Sequence, residues 1–464
     1  MEKKTKLLVH IALIVVIAVA VVTTSCNRGS SSGNTSAARN LGGMHIVIGN
    51  WWSNYNVDTY VPANENDEKT LEWRKKIQTE NNFTMEEKNI AGWGEMAQLS
   101  ATSTMAGDPA ATVFVLQGDW AMAMVRQGLA YPVSDNTAVN LRNPQPVQSG
   151  VRAPEWNPAT LDTFTVGGKT YAFSVGINMS NTPLVFFNKR LFREAGIDPD
   201  LPYNMQRDGT WTWDAFLDLS RRLTRDINND GIMDTYAMPQ DFSTAILEAA
   251  IASNDATYVD KDSTGRFVNA TQRPEFIEGL QYAIRLNTEG VMKPKPDGAN
   301  WDWFKSEFID GNVAMRIEDS YIWGELQNMR DDWGIVFFPK GPRASTYIMY
   351  TRENVLVVPA TFTAEQVNNI MTALALWYTP VTDDWKSGYY NTFRDARAVD
   401  ETLALMRNTS IHRNKNYVLI PGLNTGNIAW SMWGYQGEPA QLVESVAPNW
   451  NTLIAEVNND LSGR

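Results

Sequence analysis

"ATVFVLQGDWAMAMVRQGLAYPVSD" occupies residues 111–135, and its reading decides the fold. Residues 111–120 form an apolar run that breaks at Gly118-Asp119-Trp120, the pattern of a buried strand entering a turn. A short helix follows over 121–128, and "YPVSD" (131–135) leaves the unit. Outward toward the N-terminus, "MHIVIGNWW" (44–52) alternates and is β-branched, a first strand that ends in an aromatic loop. Between the two strands, residues 68–81 show helical spacing, with Leu71, Trp73 and Ile77 among charges. Residues 93–106 do the same before Gly107-Asp108-Pro109 closes the helix. The β–α–β–α order predicts an α/β lobe around a central sheet.

Outward toward the C-terminus, residues 167–198 give a hairpin-like strand, a polar crossing, a strand and a helix. Residues 210–226 then read as an amphipathic helix with Thr212 as N-cap and Trp213, Phe216, Leu219 and Leu223 on one face. "EFIDGNVAMRIEDSYIWGEL" (307–326) predicts helix, glycine turn, strand and aromatic loop. Strands are expected at 333–342 and 353–360, and helices at 363–379, 394–408 and 440–461. The body has about 420 residues, more than one ordinary core encloses, so two lobes are expected.

The N-terminus carries Lys3, Lys4 and Lys6, an apolar run over 7–22, and Thr23-Thr24-Ser25 ahead of Cys26. A basic flank, a short apolar core and small residues make a secretory signal over 1–25, and a 16-residue run that contains His10 falls short of the ~20 that span a bilayer. Cys26 is the only cysteine of the 464 residues and stands where a lipoprotein signal places its acylated residue. The Ser/Gly/Asn-rich residues 26–43 read as a flexible tether. Removing residues 1–25, with three lysines and one glutamate, takes the net charge from −12 to about −14. Such a surface argues against nucleic acid and against lying on anionic lipid, so the membrane is reached through the lipid anchor only.

With Cys26 on the anchor and His10 in the signal, His45 and His412 are the remaining histidines. Thiol catalysis and a zinc cluster are thereby disfavoured, and no nucleophile motif accompanies either histidine. "DINNDGIMDTYAM" (226–238) has the spacing of a calcium loop. Asp226, Asn228 and Asp230 alternate, Gly231 takes the sixth place and Asp234 the ninth, but Ala237 stands where a bidentate Glu is expected. The other reading of the stretch is an Asx-rich turn without metal. Tryptophan is abundant, 17 residues, many at strand-to-loop junctions where rigid flat rings suit the C–H faces of sugars. Trp73 and Trp213, at helical spacing with Leu and Phe, read instead as core.

In order and spacing, "HIVIGNWW", the 111–135 stretch, "LVFFNKRLFREAGID", "TWDAFLDLSRRLT" and "FIDGNVAMRIEDSYIW" ahead of "WGIVFFPKGP" resemble extracellular solute-binding proteins of the family-1 type. These are the lipoprotein receptors of ABC sugar import systems related to maltose-binding protein. The resemblance implies a two-lobed, type II periplasmic-binding-protein-like α/β fold with a hinge of several crossing strands and the ligand between the lobes. Lobe 1 would comprise 44–178 and 352–380, lobe 2 179–351 and 381–464, with crossings near 176–182, 348–354 and 378–385. It also implies a structural calcium clamped by Asp226, Asn228, Asp230 and Asp234 side chains and the Ile232 carbonyl.

By the same resemblance, Asp119 and Trp120 fall in the first-lobe loop that meets sugar hydroxyls. Asn178 and Asn181 lie in the crossing segment, where the related receptor has an acid. Gln240 and Phe242 align loosely with another contact pair. Tyr321 and Trp323 match the second-lobe aromatic platform, preceded by Glu318 and Asp319. Trp51 and Trp52, Trp301, and Trp430 and Trp433 are further candidate ligand contacts. The expected protein is a monomeric, exported receptor on the cell membrane, in the periplasm or on the outer face of the cytoplasmic membrane. It would capture a sugar or oligosaccharide, close by hinge rotation and deliver it to the transmembrane subunits of a permease. Two other readings compete: a secreted calcium-stabilised glycoside hydrolase and a carbohydrate receptor without transport. The hydrolase needs two opposed carboxylates at fixed separation, and Glu318 and Asp319 are merely adjacent.

Overall fold

Two α/β units share the chain, and the computed structural model describes residues 38–176, 182–241, 244–351 and 354–462. The first unit is built on a six-stranded sheet. Its strand order is Tyr55–Asn56, Phe83–Asn89, Met44–Asn50, Val113–Gln117, Asn354–Val357 and Ala172–Phe173. Met44–Asn50 runs parallel to Phe83–Asn89 in continuous register, and Ile48 and Gly49 pair in parallel with Val113 and Phe114. Helices on both faces bury these strands, hence their dense Val, Ile and Leu content. Ile46, Ile48, Val113 and Leu116 are at most 1 % exposed.

The helix Glu65–Asn81 is capped by Asn64, whose side chain accepts from the Asp67 N–H, and it ends on left-handed Asn82. Ala364–Trp377 begins with a capping box between Thr363 and Gln366 and buries Val367, Ile370, Met371 and Leu374 against the first sheet. Each such aliphatic side chain stabilises the unit by roughly 1.5–3 kcal/mol relative to exposure.

The second unit centres on Pro183–Asn188, buried along its whole length and flanked antiparallel by Met315–Asp319 and Trp333–Phe337. Met238–Pro239 and Met292–Lys293 extend this sheet, joined to it by the Tyr236–Val313 bridge and the Met315 N–H on the Ala237 carbonyl (2.7 Å). The helix Ala245–Ser253 lies against Pro183–Asn188 and Met315–Asp319. The chain passes from the first sheet to the second between Phe173 and Pro183 and returns between Phe337 and Asn354.

Three expectations shift. The helix after Val113–Gln117 begins at Gly118, so Gly118-Asp119-Trp120 is its first turn and not a loop ahead of it. The stretch 394–408 is not one helix but a π-helical segment, Ala398–Leu403, continued by Ala404–Met406. The last residues of the expected tether are docked, because Leu41 is buried and its N–H donates to the Asn81 carbonyl at 2.8 Å. The C-terminal helix Pro439–Ser462 joins both units: Asn458 bonds Phe267 of the second, and Asp460 pairs with Arg126 of the first.

Candidate functional site

The strand Val113–Gln117 delivers its carboxyl end to a cavity of about 570 Å³ lying between the units. Carboxyl ends of parallel strands are where open α/β sheets hold ligands, because no helix covers them there. Gln117, Gly118 and Asp119 form the first-unit wall. Thr244 and Glu248, at the start of Ala245–Ser253, form the second-unit wall. The segment from Tyr417 to Thr425 makes the floor. That volume suits a small solute of one to a few rings.

Beside Asp119, four indoles form a chain. Trp52 meets Trp51 at 4.8 Å, Trp51 meets Trp120 at 5.4 Å, and Trp120 meets Trp93 at 5.5 Å, centroid to centroid. Asn50, at the end of its strand, fixes the first pair by accepting the N–H groups of Trp52 and Ser53, both at 2.9 Å. Trp52 and Trp93 remain more than half exposed, so the chain presents ring surface to solvent.

The second-unit wall carries a buried charge pair. Lys415 and Glu248 are 2 % and 10 % exposed in their side chains, and the ammonium rests on the carboxylate. The Tyr417 hydroxyl donates to the other Glu248 oxygen at 3.1 Å. Burial pulls the Lys415 ammonium down to about 7. Tyr417 is itself set by an edge contact with Tyr258 at 5.1 Å. Asn424 accepts the Gly426 N–H at 2.9 Å, and the exposed Trp430 ring covers Gly426 beside that turn.

The remaining candidates are dispersed. Glu318 points inward, 5 % exposed, onto fully buried Arg316 at 2.7 Å, because residues 316 and 318 share one face of their strand. Asp319 is half-buried next to it. Tyr321 is 46 % exposed, and burial of its remainder, with Glu318 nearby, pushes its hydroxyl up to about 12. Trp323 packs edge-on against Phe393 (5.1 Å) and Tyr389 (6.2 Å). Trp301 is exposed on Phe304, and Trp433 is half-buried on the core. Gln240 bridges Asn287 and the Lys295 N–H, both at 3.3 Å. Asn178, Asn181, Phe242 and Cys26 lie outside the described residues.

In the loop 226–238 the side chains fold onto the loop's own backbone. Asp226 accepts from Asp230 and Gly231, Asn228 from Asp230, Asp230 from Ile232, and Asp234 from Ile227. Asn229 and Gly231 take positive φ, 61° and 87°, which the tight turn requires. All donors are hard oxygens, as calcium demands, and each retains lone pairs beyond its backbone bond. Ala237 is buried in the second sheet and contributes no side-chain ligand. Among the described residues no three His, Cys, Asp or Glu side chains are gathered as a metal cluster. No helix among them is long and apolar enough to cross a membrane.

Glu248, Lys415, Tyr417, Thr244, Asn424 and Trp93 were not expected at the site. Glu248 leaves a trace in the sequence, a lone charge in the apolar run "AILEAAIAS". Lys415 leaves none, standing among Arg, Asn and Tyr like any solvated residue.

No curated protein matches the chain in sequence. Solved structures do match in fold. One is UgpB from Mycobacterium tuberculosis in complex with glycerophosphocholine (16 % identity, 89 % of this chain and 98 % of that one, TM-score 0.60). Another is an ABC substrate-binding protein from Listeria monocytogenes in complex with cycloalternan (15 %, 89 % and 99 %, 0.57). A third is the cyclic α-maltosyl-1,6-maltose binding protein from Arthrobacter globiformis (15 %, 90 % and 99 %, 0.57). The fold is thus the two-lobed, type II architecture of solute-binding proteins. The sequence model of that family matches residues 73–363, well over half of the chain, and the protein belongs to the bacterial extracellular solute-binding proteins.

Proposed function

We propose that the protein is the lipid-anchored receptor of an ABC import system and that its solute is a saccharide. The observation that carries this reading is the cavity walled by both units, with Asp119 on one side and Glu248 on the other. A solute touching both walls favours the closed arrangement over the open one, which is the differential binding that hinge closure needs. Carboxylate, amide and hydroxyl groups around the cavity suit sugar hydroxyls, and the indole chain beside Asp119 suits sugar C–H faces. Two of the three structural relatives named above are described with, or as binding, cyclic oligosaccharides. Acylated Cys26 would hold the receptor at the membrane surface, as a monomer, close to the permease.

Calcium in the loop Asp226–Asp234 is part of the same proposal. Asp226, Asn228, Asp230 and Asp234 would hold the ion with the Ile232 carbonyl, water completing the shell that Ala237 leaves open. The ion would tie the end of Trp213–Leu223 to the strand at Met238, a stabilising role remote from the cavity.

A thermal-shift screen over mono- and oligosaccharides tests the solute class, and uptake by cells lacking the gene tests import. Saccharide-dependent melting shifts with lost uptake are expected. Shifts produced by non-saccharide solutes alone would contradict the reading.

A further inference from the structure

A second pocket, of about 280 Å³, lies within the second unit and shares no lining residue with the cavity. It opens between the end of Ala245–Ser253 and the start of the helix Pro274–Thr288. Buried Tyr350 lines it, the hydroxyl donating to the Ala256 carbonyl at 2.6 Å. Most of its charges are spent on one another. Arg413 Nε meets Asp255 at 3.1 Å, and Arg273 Nη1 meets Asp260 at 2.6 Å.

Two groups of opposite sign remain. Arg273 has no other side-chain partner among the described residues, so its Nε–Nη2 edge is open. That edge of a guanidinium takes a carboxylate through two parallel bonds. Glu275, two positions on, lines the same pocket and forms no ion pair or side-chain hydrogen bond among the described residues. Arg343, which feels its charge at longer range, is already paired with Glu278. Asn414 and Asn416 add two amides whose side chains bond to no described residue. Asn416 is 8 % exposed and its Oδ1 is unpartnered, where a buried amide ordinarily finds a partner.

We propose that this pocket is a second ligand site, taking a small zwitterion of the α-amino-acid type with an uncharged polar side chain. Its carboxylate lies on Arg273, its ammonium on Glu275, and its side chain toward the Asn414 and Asn416 wall. A lone anion would satisfy Arg273 and meet an excess of negative charge, since three carboxylates face two guanidiniums. A lone cation would leave the Arg273 edge unused. The volume suits a free amino acid. The site goes beyond the saccharide reading and does not depend on it. The two sites are nonetheless neighbours, because Asn416 lines this pocket and Tyr417 the cavity.

Calorimetric titration of the full-length protein with L-asparagine and L-serine tests this, with ethanolamine and acetate carrying one charge each. At least one amino acid is expected to bind saturably, one to one, and at least tenfold more tightly than either control, about 1.4 kcal/mol. Arg273→Gln and Glu275→Gln should each weaken it at least tenfold, with ligand-free melting and saccharide binding as in the wild type. Asp119→Ala, in the cavity, should leave amino-acid binding unchanged. No saturable binding of either amino acid overturns the proposal, as does equal binding of ethanolamine or acetate. Binding that Asp119→Ala abolishes and both pocket variants keep would put the amino acid in the cavity, which overturns the proposal and contradicts the saccharide reading too.

Discussion

Gly118 lies against Val418 where the first unit meets the cavity floor. A Cβ built on Gly118 would fall 2.7 Å from Val418 Cγ2 and 3.2 Å from its Cβ, with the Phe164 ring 3.5 Å away on another side. The backbone is closed in by a branched side chain of the cavity floor, which must shift to admit a Cβ. Gly118→Ala is therefore expected to push the strand end and Asp119 off the floor, costing about 1–3 kcal/mol of stability as overpacking does. Solute affinity should fall at least fivefold. Denaturant unfolding and titration of the variant check both, and Val418→Ala in the same chain should restore part of each.

Trp120 and Trp323 separate two roles that aromatic composition alone leaves merged. Trp120→Ala removes the middle of the indole chain beside Asp119 and should cost at least tenfold in affinity, about 1.4 kcal/mol. Trp323→Ala removes a ring lodged on Phe393 and Tyr389 and should lower stability by roughly 1–3 kcal/mol. Calorimetry and thermal melting of both variants give the comparison.

Strands and helices were legible because burial writes a period into the sequence. "MHIVIGN" is a strand with Ile46 and Ile48 buried and Val47 half-buried on the other face, and Trp213 is core, stacked on Tyr282 at 4.2 Å. The site was half legible. Asp119 announces itself by standing where an apolar strand stops, and Asn50 does the same for Trp51 and Trp52. Glu248 and Lys415 are brought together from 167 positions apart by tertiary packing, and no local pattern records that. Glu318 illustrates the converse: its neighbours Tyr321 and Trp323 suggest a binding loop, but strand alternation turns it onto Arg316.

The loop at Asp226–Asp234 predicts a metal response. Calcium binding only the folded unit stabilises it by ~2.7 kcal/mol at about 100 times Kd. Excess chelator should therefore lower the melting temperature of calcium-loaded protein, and Asp230→Ala should remove the calcium response. A melting curve indifferent to chelator would leave the loop as a backbone-bonded turn.

Acid stability should depend on Glu278. The Arg343 guanidinium, at 2.6 Å, holds its carboxyl at about 2 in the folded protein, below the ordinary 4.5. The folded state thus binds the proton less readily, so the stabilisation is present above pH 4.5 and lost as pH falls toward 2. The pair is about a third exposed on the glutamate side, which limits its worth to roughly 0.5–1 kcal/mol. Glu278→Gln should lower stability by that amount at pH 7 and flatten its fall between pH 4.5 and 2, measured by urea unfolding across that range.

The central claim, a saccharide held between the two units, is tested most directly by calorimetric titration of wild type and Asp119→Ala with the neutral oligosaccharide that gives the largest melting shift. The account predicts saturable one-to-one binding by the wild type and at least a tenfold loss in the variant, with solute-free melting temperatures matching within a few degrees. Undiminished binding by Asp119→Ala, with its fold intact, would contradict it.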